Sequence, residues 1–267
     1  MKNVLIPVDF GSEAINAVKA LDIIKDWFND SFSLTLMHCL GDTNSHLAFQ
    51  IRKAEAMNRL IEFAHIQVTN YVMEGGVVDC KVRAERLEFL PQAFIESNNI
   101  DLVLMGTSGT SEEDILAKTN TGEHVTRHSG PYLIIPLEAK IKRLDQILIC
   151  VDYEVDDMSK YDFVVELAKS NMAQIHVLHI LRTDRELTLH QTRNKEELMA
   201  HLNFMGAEFH SYRCEQVVKG ILDFATEFET DLICVIPRHN TFFERLFHVS
   251  ITKMLAQLSK TPIYLNS

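Results

Sequence analysis

"VLIPVD", from Val4 to Asp9, is a short apolar run that ends in an aspartate, and a near copy, "ILICVD", stands at Ile147 to Asp152. Each run is followed by a long segment with apolar residues at helical spacing. Short apolar runs that alternate with amphipathic helical segments are typical of buried strands in a parallel sheet. The return of the same unit in the second half of the chain predicts an internal duplication.

Three further pairs of segments recur in the same order in the two halves. They are "LTLMHCL" and "IHVLHIL" at 34–40 and 175–181, "IDLVLMG" and "TDLICVI" at 100–106 and 230–236, and "GPYLIIP" and "TPIYLN" at 130–136 and 261–266. Duplication explains four matched pairs more simply than coincidence does. The charged stretch "LEAKIKRLD" at 137–145 carries no strand pattern, so we expect one domain at 1–138 and a second at 144–267.

Within each half, apolar strands alternate with amphipathic helices, the first of which we expect to be capped by Ser12. This alternation implies parallel strands joined by right-handed crossovers, and continuous apolar strands imply a sheet covered on both faces. The sequence therefore predicts an α/β protein of two tandem doubly wound domains, each a five-stranded parallel sheet with helices on both faces. Ligands of such sheets bind beyond the carboxyl ends of the strands, where the strand order reverses.

Composition narrows the function classes. Of the 267 residues, 46% are hydrophobic and 24% are charged, which is enough to form a buried core. The formal net charge of -11 opposes binding to phosphate backbones, so we expect no nucleic-acid partner. No apolar stretch approaches the roughly 20 residues of a membrane span, and "MKNVLIPVDF" begins directly with a strand. With five cysteines and no CxxC pair, we expect reduced thiols in a cytoplasmic protein.

The candidate site lies where two strands end. Asp9 follows the first strand, and a glycine loop from Gly106 to Gly109 follows the fourth, so neighbouring strands would open on one crevice. The glycines would let backbone N–H groups approach an anion, and the following helix could add its positive N-terminal dipole. Two structural alternatives stay open: Asp9 as a cap of the next helix, and the glycines as a tight turn.

With these elements the chain resembles a tandem universal stress protein over essentially its whole length. The matching segments are "VLIPVDFGSEA", "LMGTSG" and "EHVTRHSGPYLIIP" in the first half, and "ILICVD", "DLICVIPRH" and "ITKMLAQLSKTPIYL" in the second. The resemblance implies a stress-response regulatory module. In the ATP-binding branch of that family, an aspartate after the first strand contacts the adenine side. A glycine motif there reads Gly, two residues, Gly, nine residues, Gly, then Ser or Thr.

On this sequence the resemblance assigns the aspartate to Asp9 and the first two glycines to Gly106 and Gly109. Thr119 stands where the third glycine belongs, and Asn120 and Thr121 follow it. These small polar residues could complete a nucleotide site or could cap the next helix. The loop also carries acids that would oppose a triphosphate, namely Glu112, Glu113 and Asp114. We therefore expect a weakened site for ATP or a related adenine nucleotide, with Mg²⁺, in the first half.

The second half departs further from the family motif. After "DLICVI" comes "PRHNTFFERLFHVSITKM", which contains no glycine, so we expect no backbone cradle for phosphates there. Arg238 and His239 could contact an anion only through their side chains. We expect nucleotide binding to have been lost in this half.

Sequence spacing yields no catalytic or metal-ligating residues. His124 and His128 stand four apart on a predicted helix, but no further ligand completes a metal set. His38 and His179 end equivalent strands, which points to a shared structural role. No nucleophile and base can be assembled, so we expect no enzymatic activity beyond incidental slow ATP hydrolysis.

Two hypotheses of different classes follow. In the first, the first half binds an adenine nucleotide and the protein acts as a sensor. In the second, neither half binds nucleotide and the protein is an acidic scaffold for protein partners, whose identity the sequence does not give. The resemblance also implies that the last strand of each domain mediates pairing. We therefore expect domain–domain pairing within the chain, which hides two sheet edges, and allow for a homodimer of the whole chain.

Overall fold

The structure is a computed structural model that describes residues 2–28, 32–41, 46–71, 76–85, 92–107, 131–140, 142–181, 186–236 and 259–266. Ten strands in these ranges form one sheet. They are β1 Lys2–Pro7, β2 Phe32–Cys39, β3 Val77–Arg83, β4 Leu102–Thr107, β5 Pro131–Pro136, β6 Gln146–Val151, β7 Gln174–Leu181, β8 Glu208–Arg213, β9 Leu232–Val235 and β10 Ile263–Asn266.

Seven α-helices connect the described strands. They are α1 Ser12–Lys19, α2 Leu21–Ile24, α3 His46–Phe63, α4 Gln92–Ser97, α5 Asp162–Asn171, α6 Leu189–Leu202 and α7 Val217–Glu227. Helix α3 continues through a π-helical turn, Ala64–Val68, and several 3₁₀ turns adjoin the other helices. None of the helices described is both long and apolar enough to span a bilayer.

The strand order is β3-β2-β1-β4-β5-β10-β9-β6-β7-β8. Each half contributes five parallel strands, and the central strand of each half, β1 or β6, pairs with the second and fourth strands of that half. The order in which the chain adds strands to the sheet therefore reverses between β1 and β4 in one half and between β6 and β9 in the other. This arrangement confirms the predicted α/β class and the doubly wound topology.

The two halves meet at an antiparallel pairing of β5 with β10, in which Ile134 lies opposite Ile263. A second contact joins them beside the sheet, where Nε1 of Trp27 donates a 2.8 Å hydrogen bond to Oε2 of Glu166 on α5. The Trp27 ring also packs edge-on against Phe163, with ring centroids 4.7 Å apart. Because β5 and β10 pair with each other, the edge strands among the ten described are β3 and β8.

Two apolar cores cover the two faces of the sheet. Residues of β1 alternate between them, with Val4 and Ile6 in one core and Leu5 in the other. Helices α1, α3, α5 and α6 contribute to the first core, whereas α4 and α7 contribute to the second. Burial of both faces explains why the strands read as nearly continuous apolar runs.

The duplication extends to details of the backbone. Asp101 and Asp231 occupy equivalent positions before β4 and β9, and each accepts a hydrogen bond from the backbone at the start of the neighbouring central strand. Asn99 and Glu229, two residues earlier, both have a φ of 47°. The two halves therefore repeat this connection in both its aspartate hydrogen bond and its backbone conformation.

One sequence expectation about helix α1 was wrong. Ser12 is the first helical residue and not the N-cap, which is Gly11 in an extended conformation. The Ser12 hydroxyl instead lies 3.1 Å from Oε2 of Glu13. The domain boundaries at 138 and 144 remain a prediction.

Candidate functional site

Asp9 stands exposed at the carboxyl edge of the first half, just after β1. Its Oδ1 accepts a 2.9 Å hydrogen bond from the backbone N–H of Gly11, the N-cap residue of α1. This bond forms an Asx turn ahead of the helix and does not cap the N–H groups of the first helical turn. The turn fixes the carboxylate beside the β1–β4 switch point.

The residue between Asp9 and Gly11 gives the turn its shape. Phe10 has a φ of 68°, in the left-handed region that a bulky side chain rarely adopts. Packing holds it there, because its ring centroid lies 4.6 Å from that of His38 and 6.2 Å from that of Phe63. The guanidinium carbon of Arg59, on α3, lies 4.2 Å from the Phe10 ring centroid.

His38 supports this turn through the backbone. Its Nδ1 lies 2.6 Å from the carbonyl oxygen of Val8, and a carbonyl can only accept, so Nδ1 carries the proton. His179 makes the same contact with the carbonyl of Val151, at 2.9 Å. The shared structural role predicted for the two histidines is therefore confirmed.

Gly106 lies near the end of β4, as predicted. Packing explains why this position is a glycine. A Cβ built on Gly106 would collide with the backbone carbonyl of Glu13, in the first turn of α1, and would lie 2.8 Å from the Glu13 Cα. The absence of a side chain lets α1 approach β4 closely. Asp9 and Gly106 are thus brought to the same edge of the sheet.

The remaining predicted site residues lie outside the described part of the chain. These are Gly109, Thr119, Asn120 and Thr121, together with the lesser candidates Glu112, Glu113, Asp114, His124, His128, Arg238 and His239.

The corresponding edge of the second half repeats the turn with different chemistry. Oδ1 of Asp152 accepts the N–H of Glu154 at 3.0 Å, and Tyr153 between them has a φ of 58°. Amide side chains of α6 cover this turn: Gln191 donates to the Asp152 carbonyl and Asn194 to the Tyr153 carbonyl, each at 3.1 Å. A cation lies over the turn's aromatic ring in both halves: the Arg59 guanidinium of α3 over Phe10, and Nζ of Lys195 of α6 over Tyr153, 5.8 Å from its centroid.

A second group of side chains was missed by sequence reasoning. Potential metal-ligand atoms of His176, Glu208 and His210 all lie within 4.8 Å of one another, near the amino ends of β7 and β8. The alternation of Glu208 and His210 is the only local sequence signal. The third residue belongs to another strand, so the sequence analysis predicted no metal site.

Comparison with known proteins agrees with this fold. No family model matches the chain. A curated protein of Staphylococcus haemolyticus that bears the name universal stress protein is 25% identical over 153 residues, which span 55% of this chain and 87% of that protein. A universal stress protein from Archaeoglobus fulgidus superposes with a TM-score of 0.75 at 15% identity, covering 99% of this chain and 98% of its own.

A functionally unknown protein from Pseudomonas aeruginosa also shares the fold, with a TM-score of 0.58 at 11% identity, covering 100% of this chain and 92% of its own. Other universal stress proteins have been solved with cAMP and with dAMP, but their TM-scores of 0.37 and 0.34 are too low to inform on this chain. The sequence match and the full-length structural match concern one family. The chain therefore has the fold of the universal stress proteins, in two tandem copies.

Proposed function

We propose that the protein is a stress-response regulatory module that binds an adenine nucleotide weakly in its first half. The observation that carries the proposal is the exposed carboxylate of Asp9, fixed by its turn at the β1–β4 switch point. Doubly wound sheets bind their ligands at this place. The proposal is of binding and regulation, with no catalytic residue assigned.

Asp9 is suited to recognise the nucleoside. Its Oδ1 accepts the N–H of Gly11, and an ionised carboxylate has room for further hydrogen bonds from ribose hydroxyls or an adenine amine. The Asx turn holds the carboxylate before a ligand arrives, so little conformational entropy is lost on binding.

Two cations of α3 lie along the same side of the sheet. The Arg59 guanidinium stacks on the Phe10 ring, and Nη2 of Arg52 donates a 3.3 Å hydrogen bond to the Leu40 carbonyl, just after β2. Both arginines are exposed. They would add positive potential at an edge where an anionic ligand approaches.

The phosphates and Mg²⁺ would be held by the segment of sequence from Gly109 that includes Thr119, Asn120 and Thr121. We expect affinity to be reduced, because Thr119 stands where the family motif has a glycine and the segment contains acidic side chains. Mg²⁺ would supply positive charge that offsets part of that repulsion.

The second half supports a single site per chain. Glu154 stands where the first half has Gly11, and Asp156 also lies on this turn. These carboxylates would oppose phosphate at an edge already engaged by Gln191 and Asn194.

A second candidate function is an acidic interaction module that binds no nucleotide and recruits other proteins or a second copy of itself. The packing of Gly106 against Glu13 favours it, because this glycine is required whether or not a phosphate binds. The net charge of -11 also suits a protein with basic partners.

Isothermal titration of the full chain with ATP, ADP and AMP, with and without Mg²⁺, distinguishes the two. Asp9→Asn keeps an oxygen for the Gly11 N–H but removes the charge, and Asp152→Asn is the matched control in the second turn. We expect one site per chain, weakened at least about tenfold by Asp9→Asn and unchanged by Asp152→Asn. Absence of binding at millimolar nucleotide would refute the sensor function and leave the interaction module.

A further inference from the structure

We propose that His176, Glu208 and His210 form a binding site for a divalent transition-metal ion, Zn²⁺ in particular, between β7 and the edge strand β8. The site lies at the amino ends of the second-half strands, whereas the nucleotide crevice lies at the carboxyl ends of the first-half strands. It is therefore independent of the proposed nucleotide function.

Strand register brings the three residues together. Glu208 and His210 are two apart on β8, so their side chains emerge from the same face of the sheet. His176 of β7 lies directly opposite Glu208 in the parallel pairing. Three ligands from two paired strands need no loop to bring them into place, which favours a preorganised site.

The distances match those of a small four-coordinate ion. Nδ1 of His176 lies 3.1 Å from Nε2 of His210 and 3.6 Å from Oε2 of Glu208, and the His210 and Glu208 atoms are 3.7 Å apart. Tetrahedral bonds of about 2.0–2.2 Å place neighbouring ligand atoms roughly 3.3–3.6 Å apart. The three atoms thus need to move by only a few tenths of an ångström to share one ion.

A fourth residue orients the first ligand. Nε2 of His176 lies 2.9 Å from Oε1 of Gln146, at the start of β6. An amide oxygen only accepts, so this nitrogen carries the proton and Nδ1 presents its lone pair to the site. Metal-binding histidines commonly donate their second ring N–H to such a partner.

An apolar wall surrounds the two imidazoles. The Phe224 and Phe228 rings are stacked with centroids 4.1 Å apart, and their centroids lie 5.0 Å and 5.2 Å from that of His210. Phe228 also packs against His176, with ring centroids 4.9 Å apart, so the phenylalanine rings restrict both imidazoles.

The equivalent position in the first half, between β2 and β3, contains a lysine side chain beside the strand carboxylate. Thr35 lies opposite Asp79 in the β2–β3 pairing, as His176 lies opposite Glu208, and Lys81 therefore corresponds to His210. Nζ of Lys81 lies 3.4 Å from Oδ2 of Asp79.

The surroundings of Lys81 correspond as well. Its Nζ donates a 3.1 Å hydrogen bond to Asn98 and lies 5.5 Å from the Phe94 ring centroid, in the places of Phe228 and Phe224. The first half thus places its own ammonium beside the strand carboxylate. The second half replaces that cation with two imidazoles, which leaves the Glu208 carboxylate to pair with a bound ion.

The ligand set selects among metals. Two imidazole nitrogens and one carboxylate suit Zn²⁺, whereas Mg²⁺ and Ca²⁺ prefer all-oxygen sites. Three protein ligands leave a fourth position for water. The bound ion would tie the edge strand β8 to β7 and stabilise an otherwise exposed sheet edge.

The test uses the full chain without a histidine tag, freed of metal with a chelator and titrated with Zn²⁺ by calorimetry. Co²⁺ serves as a spectroscopic probe of four-coordinate geometry. We expect one ion per chain, with binding lost or weakened by more than about tenfold in Glu208→Gln and His210→Gln. Gln146→Leu, which touches no metal, should weaken binding by about 10–100-fold.

His190→Gln is the matched control, because His190 is a histidine beside two other carboxylates, 3.2 Å from Asp156 and 3.7 Å from Glu154. It should bind Zn²⁺ as the unmodified protein does. Because the Glu208 side chain is 58% exposed, its variant should fold even if His210→Gln does not. Equal Zn²⁺ affinity in the unmodified protein and in Glu208→Gln would overturn the proposal, as would the absence of binding in both.

Discussion

Gly106 of β4 and Glu13 of α1 are in such close backbone contact that no side chain fits between them. The contact joins helix α1, which follows β1, to β4, the strand that lies next to β1 at the switch point. A glycine that appears in a nucleotide-binding motif therefore has a structural role in this chain as well.

Gly106→Ala should destabilise the protein in the absence of any ligand. The added Cβ meets backbone atoms of Glu13, which cannot rotate away, so α1 must shift from the sheet. Overpacking of this kind costs about 1–3 kcal/mol. Urea unfolding of the ligand-free protein, followed by circular dichroism, measures the change.

Gly11→Ala is the control for that experiment. Its Cβ would approach Oε2 of Glu13 at 2.8 Å, but this atom ends a flexible side chain and can move. We expect a smaller loss of stability than for Gly106→Ala. Equal stability of Gly106→Ala and the unmodified protein would show that the helix moves without cost.

The strand pattern was enough to predict the fold because the duplication repeats each element once. The paired runs at Val4 and Ile147 predicted strands, and the structure has β1 and β6 there. The packing role of Gly106 could not be predicted, because Glu13 reaches it only once α1 is folded onto β4. Local spacing contains no information about such contacts between distant segments.

The proposed metal site of His176, Glu208 and His210 could not be predicted from the sequence for a related reason. Its members become neighbours only through the register that places His176 opposite Glu208, and register depends on the whole β7–β8 pairing. The role of His38 and His179 could be predicted, because their equivalent positions in a duplicated strand already indicated a common structural role.

His38→Leu and His179→Leu should each lower the free energy of unfolding by about 1 kcal/mol, because each removes a part-buried hydrogen bond to the backbone at the end of a central strand. The sites lie in different halves, so the two losses should add within about 0.5 kcal/mol. Chemical denaturation of both single variants and the double variant measures this. His65→Leu, at an exposed position, should change stability by less than about 0.5 kcal/mol, and an equal loss there would argue against a specific role.

Trp27, the one tryptophan of the chain, reports on the contact between the halves through its bond to Glu166. Glu166→Ala should lower the free energy of unfolding by about 1 kcal/mol and change the tryptophan emission. Glu196→Ala, at an exposed position on α6, should change neither.

The same tryptophan tests whether the halves unfold together. The joint sheet predicts that the fluorescence and circular dichroism transitions coincide in urea. A fluorescence transition that precedes the loss of helical signal would show that the halves separate before they unfold.

The metal-free protein should lose stability in acid through His176. Its folded pKa lies below the ordinary value of 6.5, because burial outweighs the attraction of Glu208. The unfolded chain therefore binds more protons as the pH falls through about 6.5, and stability declines until the folded pKa is reached. The groups packed on His176 are Glu208 and His210 from β8, Gln146 from β6, and Phe224 and Phe228.

His176→Gln should remove this contribution. As the pH is lowered from about 8 to about 5.5, we expect the unmodified protein to lose more free energy of unfolding than the variant does. Urea unfolding in the presence of a chelator, at both pH values, measures the shift. A difference that is the same at both pH values would mean that His176 titrates alike in the folded and unfolded chains.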